Sequence, residues 1–191
     1  LPDARGHGDS QGNYIGYGWP DRLDYVKWIK KVIATNGSNS QIVMFGTSMG
    51  GAATMMVSGV SDLPKQVKAF VEDCGYTDVY DEVAYQAKEL YHLPKFPLVG
   101  IVSLINHAKN GYSFKQASAL NQVKKNQRPM LFIHGAKDHF VPTKMVYPLY
   151  RADKGPKQLL IVPGASHADS YQKHPTLYRD TVKQFLAKYV K

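Results

Sequence analysis

Four short apolar runs constrain this chain more than any other feature. Residues 41–45, 67–71, 130–134 and 158–162 are rich in Val, Ile, Leu, Met and Phe, and each runs into a turn containing glycine: Gly46, Gly75, Gly135 and Gly164. Helical patterns fill the stretches before, between and after them. Parallel strands need long crossovers, and helices are the usual crossover, so strand–helix alternation predicts an α/β layered sheet. A length of 191 residues fits one domain with a sizeable core.

The helices have recognisable ends. Trp19-Pro20 opens the first, because proline suits the first helical turn; Leu23, Val26, Ile29 and Ile33 follow at helical spacing until Asn36-Gly37 stops it. Further helices are expected over 49–60, 143–151 and 176–190, and the glycine-rich stretch 6–18 reads as a loop. Residues 78–127 break the alternation. They contain no strand pattern, only helical stretches at 80–90 and 100–108 separated by Pro94 and Pro97, and read as a helical cap insertion within the single domain 1–191. Tyr80, Tyr85, Tyr91, Phe96, Leu98, Tyr112 and Phe114 are the candidates there to line a substrate pocket, although aromatics at helical spacing more often fill a core.

Composition excludes several classes. A formal charge of +9 invites a polyanion, but the basic residues are dispersed, with short clusters such as Lys27-Lys30-Lys31 and Lys124-Lys125-Arg128 and no recognition motif around them, so no nucleic-acid partner is expected. Cys74 is the sole cysteine, which rules out an intrachain disulfide and cysteine-cluster metal sites. His134 and His139 lack the spacing of a helical zinc motif, and His134 reads as packing near the site; no metal and no cofactor are expected. No apolar run approaches the roughly 20 residues of a membrane helix. The start, Leu-Pro-Asp-Ala-Arg, is neither a signal peptide nor an initiator Met, so upstream processing or truncation is expected.

Gly46-Thr47-Ser48-Met49-Gly50 lies between a strand and a helix, the context in which G-x-S-x-G forms a nucleophile elbow. A serine on so tight a turn needs small neighbours, and glycine at 46 and 50 is expected to remove colliding side chains. The turn sets Ser48 at a helix N-terminus, where the amide of Met49 is a candidate oxyanion donor. A serine hydroxyl is a poor nucleophile until a base takes its proton, so a histidine and an orienting carboxylate are required. Asp138 follows the strand 130–134 through a glycine turn, and His167 follows the last strand through Pro163-Gly164-Ala165-Ser166. Asp73, after the second strand, is the rival acid. Each assignment alone competes with an ordinary role: a packing turn, a helix cap, a surface histidine. Three placements in the order Ser, Asp, His reinforce one another.

The stretches 3–12, 46–51, 72–77, 132–138 and 162–167 resemble the α/β-hydrolase superfamily. Within it they look like bacterial membrane-anchored cell-surface hydrolases of the lysophospholipase/prolyl-oligopeptidase-like branch. The resemblance implies a three-layer α/β-hydrolase fold, a mostly parallel sheet with flanking helices. It also implies cofactor-free hydrolysis of a small ester, or of a peptide bond, through Ser48, Asp138 and His167. A cell-surface setting, anchored through a segment upstream, is implied as well, with the cytoplasm as the alternative.

Members of that family begin with several strands and a helix before the loop at 3–12. The upstream strands are absent from this chain, so the nucleophile strand 41–45 is expected to be a bare sheet edge, covered by upstream residues or by a second chain. The family's second oxyanion donor comes from that upstream part, and losing one donor costs about 10²–10³ in turnover. A non-catalytic binding module or inactive fragment of the same fold is therefore the alternative. A nucleotide-binding α/β domain is a weaker one, since no glycine turn here matches a dinucleotide or phosphate-loop spacing.

Overall fold

A computed structural model describes all of residues 1–191. Four parallel strands form one sheet in the order β1-β2-β3-β4: β1 (Ile42–Thr47), β2 (Val67–Asp73), β3 (Met130–Gly135) and β4 (Lys157–Val162). The connecting helices are α1 (Asp21–Asn36), α2 (Met49–Ser58), α3 (Val79–Tyr91), α4 (Leu98–Asn110), α5 (Ala119–Val123), α6 (Val146–Ala152), α7 (Ser170–Lys173) and α8 (Pro175–Leu186).

The central strands are buried on both faces, and alternation along them divides the core in two. Phe70, Met130 and Phe132 join the cluster beneath α2, α5 and α6. Ala69, Val71, Leu131 and Ile133 point the other way and pack with Tyr178 and Phe185 of α8. Each fully buried phenyl of this kind contributes about 1.5–3 kcal/mol. The two apolar layers make the sheet the middle of three.

Local signals set the ends of the elements. Gly37, at φ +94°, ends α1 with its amide donating to Ile33 O at 2.8 Å. Asp78 caps α3, its Oδ1 accepting from the Asp81 amide at 2.8 Å, and Pro175 opens α8. Residues 78–127 hold α3, α4 and α5 and contribute no strand to the sheet. The expected helix at 143–151 opens instead as a 3₁₀ turn, Thr143–Met145, ahead of α6. The short helices α5 and α7 had no periodic signal, being too brief to show one.

Arg128 does not belong to a surface cluster with Lys124 and Lys125. Its guanidinium donates to the carbonyls of Leu63, Pro64 and Val67 at 2.7–3.0 Å and fastens the start of β2.

β1 pairs only with β2, leaving its outer edge free within 1–191. Beside that edge a groove is lined by apolar residues including Leu1, Tyr25, Trp28, Val32 and Phe45. Leu23, Trp28, Val32 and Phe45 are exposed, so the stripe on α1 divides: Val26 and Ile29 enter the core, Ile33 packs against its margin, and Leu23 stays outside. No helix is long and apolar enough to cross a membrane.

Candidate active site

Sheet register brings the site together, because backbone hydrogen bonds continue past the ends of the strands from one loop to the next. Ser48 N donates to Asp73 O at 2.8 Å and Cys74 N to Ile133 O at 2.9 Å. Ala136 N and Lys137 N then donate to Val162 O and Ala165 O at 2.9 and 2.8 Å. Loops β1–α2, β2–α3, β3–α6 and β4–α7 are thereby linked in a row. Gly135 is required in it, since a Cβ there would lie 2.6 Å from Ala165 O.

Ser48 occupies φ +57°, ψ −118°, a strained conformation for a residue with a side chain, costing of order 1–3 kcal/mol. The crowding expected of the elbow is real at Gly46, where a Cβ would meet Gly50 O and stand 2.7 Å from Thr54 Oγ1. It is not found at Gly50, where an added Cβ would meet nothing within 4 Å. Gly51 is the second tight position, 3.0 Å from Asp73 O, because α2 runs directly over the end of β2.

Ser48 Oγ lies 2.8 Å from His167 Nε2, and His167 Nδ1 lies 2.8 Å from Asp138 Oδ2. Asp138 fixes the tautomer: a carboxylate only accepts, so Nδ1 carries the proton and Nε2 turns its lone pair to the hydroxyl. The Asp138 side chain is wholly buried, while His167 is partly exposed and tilts against the Phe140 ring at 4.8 Å. Burial alone would raise the Asp138 carboxyl, but hydrogen bonds from His134 and His167 outweigh it and hold the group well below the usual carboxylate range. Its Oδ1 also accepts from the amides of Phe140 and Val141, both at 2.9 Å.

His134 has a more specific place than packing. It is fully buried, its Nε2 donates to Val141 O at 2.9 Å, and the same nitrogen stands 3.3 Å from Asp138 Oδ2. The sequence signal was available: a strand-end histidine four residues before the acid. Asp73, the rival acid, accepts from Tyr178 OH at 2.9 Å instead of meeting His167. Met49 begins α2 directly after Ser48, so its amide is among those that helix geometry leaves without an intrahelical acceptor. Cys74 Sγ has an Asp138 oxygen and a His167 nitrogen within 4.8 Å, a grouping able to approach a cation, but both imidazole nitrogens are engaged with Ser48 and Asp138.

A cavity of about 340 Å³ opens beside Ser48 and Met49. Its aromatic walls are Tyr17, Tyr76, Tyr91 and Phe140, so Tyr91 alone of the seven expected side chains reaches it. Tyr112 and Phe114 are buried in the core, Phe96 is exposed, and Tyr85 donates its hydroxyl to His139 O at 2.8 Å, docking α3 on the loop that carries Asp138. Tyr17 sits in the glycine-rich loop and Tyr76 and Phe140 beside strand ends, where periodicity carries no signal.

Fold and site geometry together define an α/β hydrolase. The chain belongs to the prolyl oligopeptidase family, whose model matches residues 11–191. It is 30% identical over 186 residues to YqkD of Bacillus subtilis, covering 97% of this chain and 61% of that protein. It is 26% identical over 197 residues to the alpha/beta hydrolase domain-containing protein WAV2 of Arabidopsis thaliana, covering 97% of this chain and 59% of the relative. The chain thus spans roughly three fifths of these relatives. Among solved structures, the Pyrococcus furiosus esterase Pf2001 shares its fold at TM-score 0.71 and 24% identity, over 99% of this chain and 70% of the esterase. Pyrococcus horikoshii acylaminoacyl peptidase does so at TM-score 0.68 and 21% identity, over 92% of this chain and 29% of the peptidase.

Proposed function

We propose that the protein cleaves carboxylic esters by way of an acyl-enzyme on Ser48. The unbroken hydrogen-bonded row from Ser48 Oγ through His167 to Asp138 carries this reading. His167 Nε2 accepts the hydroxyl proton as Oγ attacks the ester carbonyl, and Asp138 stabilises the imidazolium that forms. The Met49 amide and the α2 dipole face the oxyanion. His167 then protonates the departing alkoxide, leaving the acyl group on Ser48. In the second half it deprotonates water, which attacks the acyl carbonyl, and returns that proton to Oγ.

An ester is favoured over an amide because the pocket is small and nearly all apolar, with no row of polar groups to hold an extended peptide backbone. Peptide cleavage would follow the same steps, so matched ester and amide substrates separate the two.

The test is labelling by a fluorophosphonate, which only an activated serine attacks. Wild type is expected to label at Ser48 and to turn over p-nitrophenyl esters, with Ser48→Ala unlabelled and about 10⁶-fold slower. Turnover that persists in Ser48→Ala would falsify the mechanism; a folded wild type that neither labels nor turns over would make the chain a binding module of the same fold.

A further inference from the structure

Helix α4 turns its apolar face outward. At roughly 100° per residue, Ile101, Leu104, Ile105 and Ala108 fall within about 100° of one another and form a single stripe. In a helix packed on its own domain such a stripe faces the core. Here all four residues are exposed, Leu104 to 70%, and so is Val102 beside them. The face turned to the protein is polar instead. Ser103 is buried, and its Oγ accepts from the Phe114 amide at 3.0 Å. Asn106 donates to Tyr112 O at 2.6 Å, and Asn110 donates to Asn106 Oδ1 at 2.9 Å. Val99 is the only buried apolar residue of α4. These hydrogen bonds fix which side of the helix is inward, so the stripe is held in solvent. Phe96, just ahead of the helix, is 84% exposed as well.

An aliphatic face of this kind marks an interaction site, and its surroundings indicate the partner. Between Leu90 and Lys137 the chain has six lysines and one arginine but no aspartate or glutamate. Lys109 borders the stripe on α4, and Lys115 shares a groove with Phe96, Ile101 and Leu104. Neither lysine makes an ion pair, while Asp81, near that groove, is taken by Lys95 at 2.8 Å. A second copy meeting this face would bring Lys109 and Lys115 against their own images with no carboxylate in the segment to pair them. Protein partners are gripped chiefly by Trp, Tyr and Arg, whereas this stripe is aliphatic. A bilayer with anionic headgroups matches both features, hydrocarbon for the acyl boundary and ammonium groups at its rim. With 13 residues α4 is about 20 Å long, short of the roughly 30 Å of a hydrocarbon core, so it fits the plane of the interface.

We infer that α4 docks the protein on an anionic lipid bilayer, with Ile101, Leu104 and Ile105 entering the acyl boundary and Lys109 and Lys115 meeting the headgroups. The inference stands apart from the hydrolase reading, and Ser48→Ala should bind as wild type does.

Co-sedimentation with vesicles tests it, one set of phosphatidylcholine and phosphatidylserine in equal parts and one of phosphatidylcholine alone. Wild type is expected to sediment with the mixed vesicles. Leu104→Gln combined with Ile105→Gln should lower that partitioning by about tenfold or more. Lys109→Gln and Lys115→Gln should each lower it about fivefold, and both should match wild type on phosphatidylcholine alone. All four positions are exposed, and an unchanged far-ultraviolet circular dichroism spectrum shows that each variant folds. Binding that survives the double substitution on α4 would be the general attraction of a chain with formal charge +9 for anionic lipid, and overturns the docking face. Failure to sediment with either vesicle overturns it too. A dimer that the double substitution disperses in analytical ultracentrifugation would then assign the face to a second copy, and a monomer would assign it to another protein.

Discussion

The ends of β2 and β3 are neighbours in the sheet, and both bury carboxyls, yet they treat them in opposite ways. Asp138, beyond β3, accepts from two backbone amides and from His167, with His134 close by, and is held ionised. At the end of β2, burial raises both Asp73 and Glu72, and each keeps one oxygen without a partner. Burial penalises the charge at all three positions, and only at Asp138 do the donors outweigh it and bring the carboxyl below its ordinary value. In the proposed mechanism the base needs an anion behind it, and the loop that faces His167 is the one with two backbone amides on its carboxyl.

The largest effect expected from this contrast is on turnover. Asp138→Asn keeps the shape of the side chain but sets an amide where His167 needs an acceptor, favouring the wrong tautomer, and kcat on p-nitrophenyl acetate should fall about 10⁴-fold. Asp73→Asn should cost less than about tenfold, because its carboxyl donates to and accepts from nothing in the row Ser48–His167–Asp138. Comparable losses in the two variants would abolish the distinction between the strand ends.

Stability against pH should separate them next, with opposite signs. The depressed Asp138 carboxyl contributes stability above its unfolded value, near 3.8, that is lost as pH falls through the folded value. Glu72 is raised, so the folded state holds a proton that the unfolded state releases. Its presence therefore lowers stability as pH climbs from 4.5 through the folded value. Denaturant titrations of Glu72→Gln against wild type should show the variant gaining, as pH rises through that window, by up to about 1.4 kcal/mol per pH unit. A difference that does not change with pH between 4 and 9 would mean that Glu72 is ionised when buried.

How far the chain disclosed these features depended on where each residue stands. The strands were legible because buried parallel strands are continuous apolar runs, and Ser48, Asp138 and His167 because each stands in a glycine-marked turn at the end of one. The cavity was not, since Tyr17, Tyr76 and Phe140 lie in irregular segments and meet only when the loops are assembled; the aromatic-rich stretch 78–127 drew attention to Tyr112 and Phe114, which serve the core. Gly50 illustrates a different failure. The pattern G-x-S-x-G implies two crowded positions, whereas here crowding falls on Gly46, which meets the start of α2, and on Gly51, which meets the end of β2, a distant segment. Donor counts around Asp138 and Asp73 were equally invisible, being set by partners 29 residues away in one case and 105 in the other.

The smallest expected effect bears on that last partner. Tyr178 lies on α8, 7% exposed, and gives Asp73 its side-chain hydrogen bond across the second core layer. In Tyr178→Phe the ring keeps its place against Tyr171 while Asp73 Oδ2 loses its donor, at a cost of about 1–3 kcal/mol in thermal or denaturant unfolding. Turnover should stay within about twofold, since the Asp73 side chain bonds to none of Ser48, His167 and Asp138, and the Ser48 amide bonds to its backbone oxygen. If kcat instead fell about tenfold or more, the carboxyl at the end of β2 would have to act on the imidazole through the protein, and donor number at a strand end would no longer suffice to tell an orienting acid from a structural one.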